Sequence, residues 1–220
     1  SSADCANRDL ALVGSACTPW VWDSGNVPAK DDLFNVYAYA ANDDQGTTAT
    51  SDDHLIVYAA VERLAPEGDS HVDLEFLQDS LSLDEMIPCN DAGADPTPCH
   101  FDGLRTPEDI IVSMDYLTGG GVGSVEIRSW TGSEYVAVGL AGGEGCFSAA
   151  GGSGDDICVA NNGGAIDGGP WVNQDRGNKV ITDLPTNSFT EFGIDVTALL
   201  GDTPCISTFL PKTRSSQSFT

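Results

Sequence analysis

Positive charge is what this sequence lacks most. Nine Lys and Arg face 34 Asp and Glu, a formal charge of -25 over 220 residues. A surface this acidic repels phosphate backbones and anionic lipid, which sets nucleic-acid and membrane partners aside. Long apolar runs are also missing, and none nears the roughly 20 residues of a membrane-crossing helix. No stretch sustains the 3.6-residue spacing of an amphipathic helix, so a helical bundle is excluded. Histidine is limited to His54, His71 and His100. There is no Gly-x-Ser-x-Gly elbow, because Gly151-Gly152-Ser153-Gly154-Asp155 misses its last glycine. His71 follows Asp69 and Ser70, but neighbours along a turn do not converge as a triad must. The expectation is a protein without catalytic activity.

What is present points to strands. Residues 54–78 hold an apolar run at 55–61, turn chemistry at 65–70, and an alternating segment with Val72, Leu74 and Phe76 on one face. Asp73 and Glu75 share the other face, which is expected to be solvated; a carboxylate pair for sugar hydrolysis is the alternative. The two segments read as the central hairpin of a sheet, with the first covered on both faces. Further strands are expected at 33–41, 109–116, 125–130, 135–138, 179–182, 188–196, 206–210 and 214–220, with one helical turn at 197–200 stopped by Gly201. Nine or ten strands separated by Gly, Pro and Asp turns mean an all-β fold, an antiparallel sandwich or jelly roll in a single domain over 1–220. Residues 1–30 form a polar lead-in with Trp20 and Trp22, and 79–106 and 139–170 are long loops.

Cysteine usage speaks for an oxidising compartment. Cys5/Cys17, Cys89/Cys99 and Cys146/Cys158 are local pairs without zinc-knuckle spacing, so disulfide-closed loops are expected, with Cys205 left over. The chain opens Ser-Ser-Ala-Asp without Met, which fits a processed secreted protein. The acids are 25 Asp and 9 Glu, and Asp favours turns over helix interiors. Oxygen-rich turns suit calcium. Gly151-Gly152-Ser153-Gly154-Asp155-Asp156 matches, once, the start of a calcium-binding nonapeptide, offering Asp155 and Asp156 as ligands. Asp31/Asp32 with Asp52/Asp53 are a second candidate, since each pair precedes strands expected to be neighbours. The plain alternative is acidic turns screened by salt. Trp130, Tyr135 and Trp171 are candidates for stacking on sugar rings; the alternative is core or cross-strand packing.

The segments KDDLFNVYAYA (30–40), HLIVYAAVERLAPEGDSHVDLEFLQ (54–78), DIIVSMDYLTGGGVGSVEIRSWTGSEY (109–135), FTEFGIDVTALLG (189–201) and KTRSSQSFT (212–220) resemble a domain of large secreted bacterial surface proteins. There it precedes strings of immunoglobulin-like or prealbumin-like repeats. The resemblance implies a β-sandwich at the cell surface and brings no catalytic residues. In that group the last strand usually continues past SSQSFT, which implies either that the end of this strand is lost or that another segment completes it. Such domains also raise an isopeptide crosslink from Lys30, Lys179 or Lys212, against which stands an ordinary ion pair.

The combined expectation is a secreted, non-catalytic structural or adhesive protein of the cell surface. Its partners would be further copies of itself, joined by strand pairing into a fibre or matrix, other surface components, or glycans. The alternative is a calcium-dependent carbohydrate-binding module, and a hydrolase comes third.

Overall fold

The computed structural model describes residues 21–22, 27–46, 48–49, 53–83, 99–148 and 155–215. Ten strands make the body: β1 Leu33–Asp43, β2 His54–Arg63, β3 Ser70–Leu77, β4 Ile110–Tyr116, β5 Val122–Trp130, β6 Tyr135–Ala141, β7 Gly145–Phe147, β8 Ile157–Asn161, β9 Phe189–Asp195 and β10 Thr208–Arg214. They form two five-stranded antiparallel sheets. Sheet I runs β7-β8-β9-β2-β1 and sheet II runs β10-β3-β4-β5-β6.

Alternation puts one side of every central strand into a shared interior. Val57, Ala59 and Val61 of β2, Phe192 and Ile194 of β9, and Ile157 and Val159 of β8 meet Val72, Leu74 and Phe76 of β3, Val112 and Met114 of β4, and Val125 and Ile127 of β5. Each fully buried Val, Leu, Ile, Phe or Met side chain among these stabilises the fold by about 1.5–3 kcal/mol. This is the sandwich that the alternation implied.

The expected central hairpin does not form. β2 lies in sheet I and β3 in sheet II, and the six residues between them, with Pro66 and with Gly68 at φ +92°, carry the chain from one layer to the other. Both strands have an apolar face for the same interior, so sequence alternation cannot distinguish pairing within a sheet from stacking across two. Nor is β2 covered on both sides: outward-facing Tyr58 is half-exposed.

The glycine-rich stretch 139–170 is not one loop, because it contains β7, β8 and the end of β6. The hairpin β5–β6 closes as expected, with Trp130 opposite Tyr135. The short helix α1, Val196–Leu200, is capped by the Asp195 carboxylate, which accepts from the Ala198 N–H, and ends at Gly201 in the left-handed region. A long excursion, 162–188, leaves β8 and returns to β9 across the outer side of sheet I. Two small ribbons brace it: Ile166–Asp167 on Asp183–Leu184, and Asn173–Gln174 on Val180–Ile181.

Candidate functional site: an aromatic trough on the outer face of sheet I

The outward positions of sheet I are small in the middle and aromatic at the rim. One row across the sheet reads Ala160, Glu191, Ala60, Tyr37, and the next reads Cys146, Cys158, Gly193, Tyr58, Tyr39. The missing side-chain volume at Ala60, Ala160 and Gly193 leaves a depression, roofed on one side by the 166–171 segment. The resulting trough encloses about 820 Å³, within the range of small-molecule sites.

Aromatic faces line it. Tyr39 and Tyr58 stack with ring centroids 6.4 Å apart, while Tyr37 sits 5.7 Å from Trp171 and 6.1 Å from Phe189. Tyr39 is 68% exposed and Trp171 60% exposed, so their faces are open to a ligand. The Cys146–Cys158 disulfide joins directly opposed residues of β7 and β8 and forms the far part of the floor.

A buried amide network holds Trp171 in place. Asn173, 1% exposed, donates to the carbonyls of Gly168 and Trp171, each at 3.2 Å. Asn35 of β1 donates to Asn173 Oδ1 at 3.3 Å, to the Val172 carbonyl at 3.0 Å and to Glu62 Oε2 at 2.7 Å. Gly168 is required beneath this clamp, for a Cβ there would lie 2.0 Å from Asn173 Nδ2. Burial pushes the Glu62 carboxyl above its usual range, against the opposing effect of the Asn35 hydrogen bond.

The outer face of sheet II is the opposite in character. Asp73 and Glu75 were expected to be solvated there, but Asp73 is 1% and Glu75 0% exposed. The neighbouring edge strand β10 supplies cations directly over them: Lys212 pairs with Glu75 and Arg214 with Asp73. Ser113 donates to Asp73 Oδ1 at 2.7 Å, and Arg105 reaches both Glu75 oxygens at 3.1 and 3.4 Å. Carboxylates covered in this way have no open cleft through which to reach a glycosidic bond. Lys212 therefore lies within a strand in an ion pair, and Lys30 Nζ donates to the Asp69 carbonyl at 2.6 Å.

The candidate residues are distributed as follows. Trp171 is in the trough. Trp130, 3% exposed, and Tyr135 belong to sheet II, where they meet edge-on at 5.1 Å and Arg105 lies over both rings. Their packing is of the cross-strand kind. Burial, with help from the Glu75 charge, also pushes the Tyr135 hydroxyl up, and it accepts a hydrogen bond from Arg105 Nε at 3.1 Å.

Asp31 and Asp32 precede β1 at the end where Leu33 faces Arg63, while Asp53 precedes β2 at the end where His54 faces Asp43. The strands are neighbours, yet their antiparallel register holds Asp31 and Asp32 on the order of 30 Å from Asp53. Asp52 lies outside the described residues. Asp155 and Asp156 precede β8, and Asp156 is one of the charges around His54, with Asp43 and Asp195. His54 Nδ1 is 2.5 Å from Asp195 Oδ2, so an imidazole occupies the middle of that acidic group. Among the described residues, no three of His, Cys, Asp and Glu converge as a metal site. The Cys146–Cys158 bridge is present and Cys205 is free and exposed. Cys5, Cys17 and Cys89 lie outside the described residues, as does the side chain of Cys99.

Sequence reading missed Tyr37, Tyr39, Tyr58, Phe189 and Glu191. The one available signal was Tyr37 and Tyr39 at alternate positions, which places both rings on one face of β1. Comparison of the chain with family models, with curated proteins and with solved structures gave no match.

Proposed function

We propose that this chain is a non-catalytic, extracellular adhesive domain that holds a carbohydrate chain in the trough of sheet I. The observation that carries the reading is an open concave surface with four aromatic faces, Tyr37, Tyr39, Tyr58 and Trp171, over a floor of alanine and glycine. Sugar rings present C–H faces that pack on aromatic faces and hydroxyl edges that hydrogen-bond to polar groups such as Glu191 and Asp167. The trough crosses four strand spacings, on the order of 19 Å, which suits a short oligosaccharide better than a single ring. The Cys146–Cys158 bridge and the resemblance to bacterial surface domains support an extracellular setting.

The test is a glycan array followed by calorimetry on the full chain, with and without chelator. Saturable binding that is lost in Trp171→Ala, with no new reducing ends released, supports the reading. Failure of every glycan to bind, or unchanged binding in Trp171→Ala, rejects it. Chelator-sensitive binding brings calcium into the site; chelator-insensitive binding leaves recognition to the aromatic faces and carboxylates.

The edges favour a second role, self-association by strand pairing. Edge strand β1 contains no proline and no basic residue, and Ala38, Tyr39 and Ala40 are exposed along it. Edge strand β10, by contrast, carries Pro211, Lys212 and Arg214, which discourage pairing. Light scattering at rising concentration tests this: dimers or larger species that vanish in Ala40→Pro support it, and a strict monomer rejects it.

A further inference from the structure

We propose that the trough selects cationic, amino-bearing sugars over neutral and acidic ones. This rests on the carbohydrate reading above and adds the ligand's charge.

Three observations carry it. First, the charged side chains lining the trough are Asp167 and Glu191, and no Lys, Arg or His is among the lining residues. Second, both carboxylates are exposed, and among the described residues neither takes part in an ion pair. The contrast with sheet II is sharp, because there Asp73 and Glu75 are each covered by the protein's own cations. Of the nine basic residues in the chain, Arg105, Lys212 and Arg214 are placed on Asp73 and Glu75, a third of the supply, and among the described residues the trough receives none. Third, the floor surrounds Glu191 with small neighbours. The register sets it between Ala160 and Ala60, so nothing on the adjacent strands covers its carboxylate.

An ammonium group entering here meets a carboxylate and, beside it, the faces of Tyr37, Tyr39, Tyr58 and Trp171. Aromatic faces attract cations through their quadrupole, and a neutral N-acetyl group gains neither interaction. The formal charge of -25 adds a long-range field that draws cationic polymers in and repels uronic-acid chains. Protonated free-amine sugars, such as glucosamine units in a linear chain, combine the apolar ring face with the charge.

The experiment compares three oligosaccharides of matched length on the full chain at pH 6. They are a β-1,4-glucosamine oligomer, its N-acetylated counterpart, and a hexuronic-acid oligomer. Binding is read by tryptophan fluorescence and calorimetry. The expected result is roughly tenfold tighter binding of the amine form than of the N-acetyl form, weakening with added salt, and no binding of the acid. Glu191→Gln, an exposed substitution whose folding a thermal melt checks, should erase most of the preference while leaving N-acetyl binding in place. Equal affinity for the amine and N-acetyl forms, or a preference unchanged in Glu191→Gln, overturns charge selection and leaves the carbohydrate reading standing. If none of the three binds and the glycan array is also blank, both fall.

Discussion

The ring of Tyr58 lies over Gly193: a Cβ at Gly193 would sit 3.2 Å from both Cδ1 and Cε1 of that ring. The two residues face each other across the β2–β9 pair, and the absence of a side chain on one leaves room for the ring of the other beside it. Gly193 is therefore a packing glycine, and its job is to give the aromatic ring its orientation.

Gly193→Ala follows from this contact. Tyr58 is half-exposed and free to tilt outward, so the added methyl should cost little stability, within about 0.5 kcal/mol by chemical denaturation. The tilt narrows the trough. Ligand affinity should fall by roughly fivefold while the melting temperature stays nearly constant, and calorimetry on the same sample separates the two effects.

Glu62→Gln tests the clamp under Trp171. Burial raises the Glu62 carboxyl in the folded state, so the proton binds more tightly there than in the unfolded chain. The stabilising proton is fully present below the ordinary glutamate range, and its contribution is lost as pH rises through the folded value. Gln keeps an oxygen for Asn35 without the charge. The variant should melt above the parent at pH 7 and coincide with it near pH 3.5, as read by thermal melts across pH.

His54 has the converse origin and the same sign. Its hydrogen bond to Asp195 holds the imidazole above its usual range against the opposing effect of burial, and the charges of Asp195, Asp43 and Asp156 add to that. The pair stabilises the fold fully below the unfolded histidine value, and this is lost as pH rises through the folded one. His54→Gln should lower the melting temperature at pH 5.5 and leave it unchanged at pH 9.5.

Over sheet II the expected effect is large. Glu75→Gln removes the charge that two buried or half-buried cations, Arg105 and Lys212, are placed to meet. Breaking one member of such a buried set costs about 3–5 kcal/mol. Replacing the set together, by Glu75→Leu, Arg105→Met and Lys212→Met, should recover most of it. Urea denaturation of both variants checks this, and a single substitution without measurable cost contradicts the burial described.

Sequence alone determined the class of fold. Alternation at Val72, Leu74 and Phe76, the β5–β6 hairpin around Thr131-Gly132-Ser133, and the turn that ends at Gly201 are local effects of side-chain period and backbone preference, and they appear where local rules place them. Which strand lies beside which is another matter. That decision moved β3 into the other sheet from β2, set β10 over Asp73 and Glu75 so that a face with solvated residue types became buried, and parted Asp31 and Asp32 from Asp53. The trough depends on it wholly: Ala60, Ala160 and Gly193 are unremarkable in three distant segments, and only the register lines them up into one depression beneath Trp171. Period is written in the chain because it is a property of neighbours. Register is a long-range choice among nearly equivalent pairings, and it is settled by the packing of the whole sandwich.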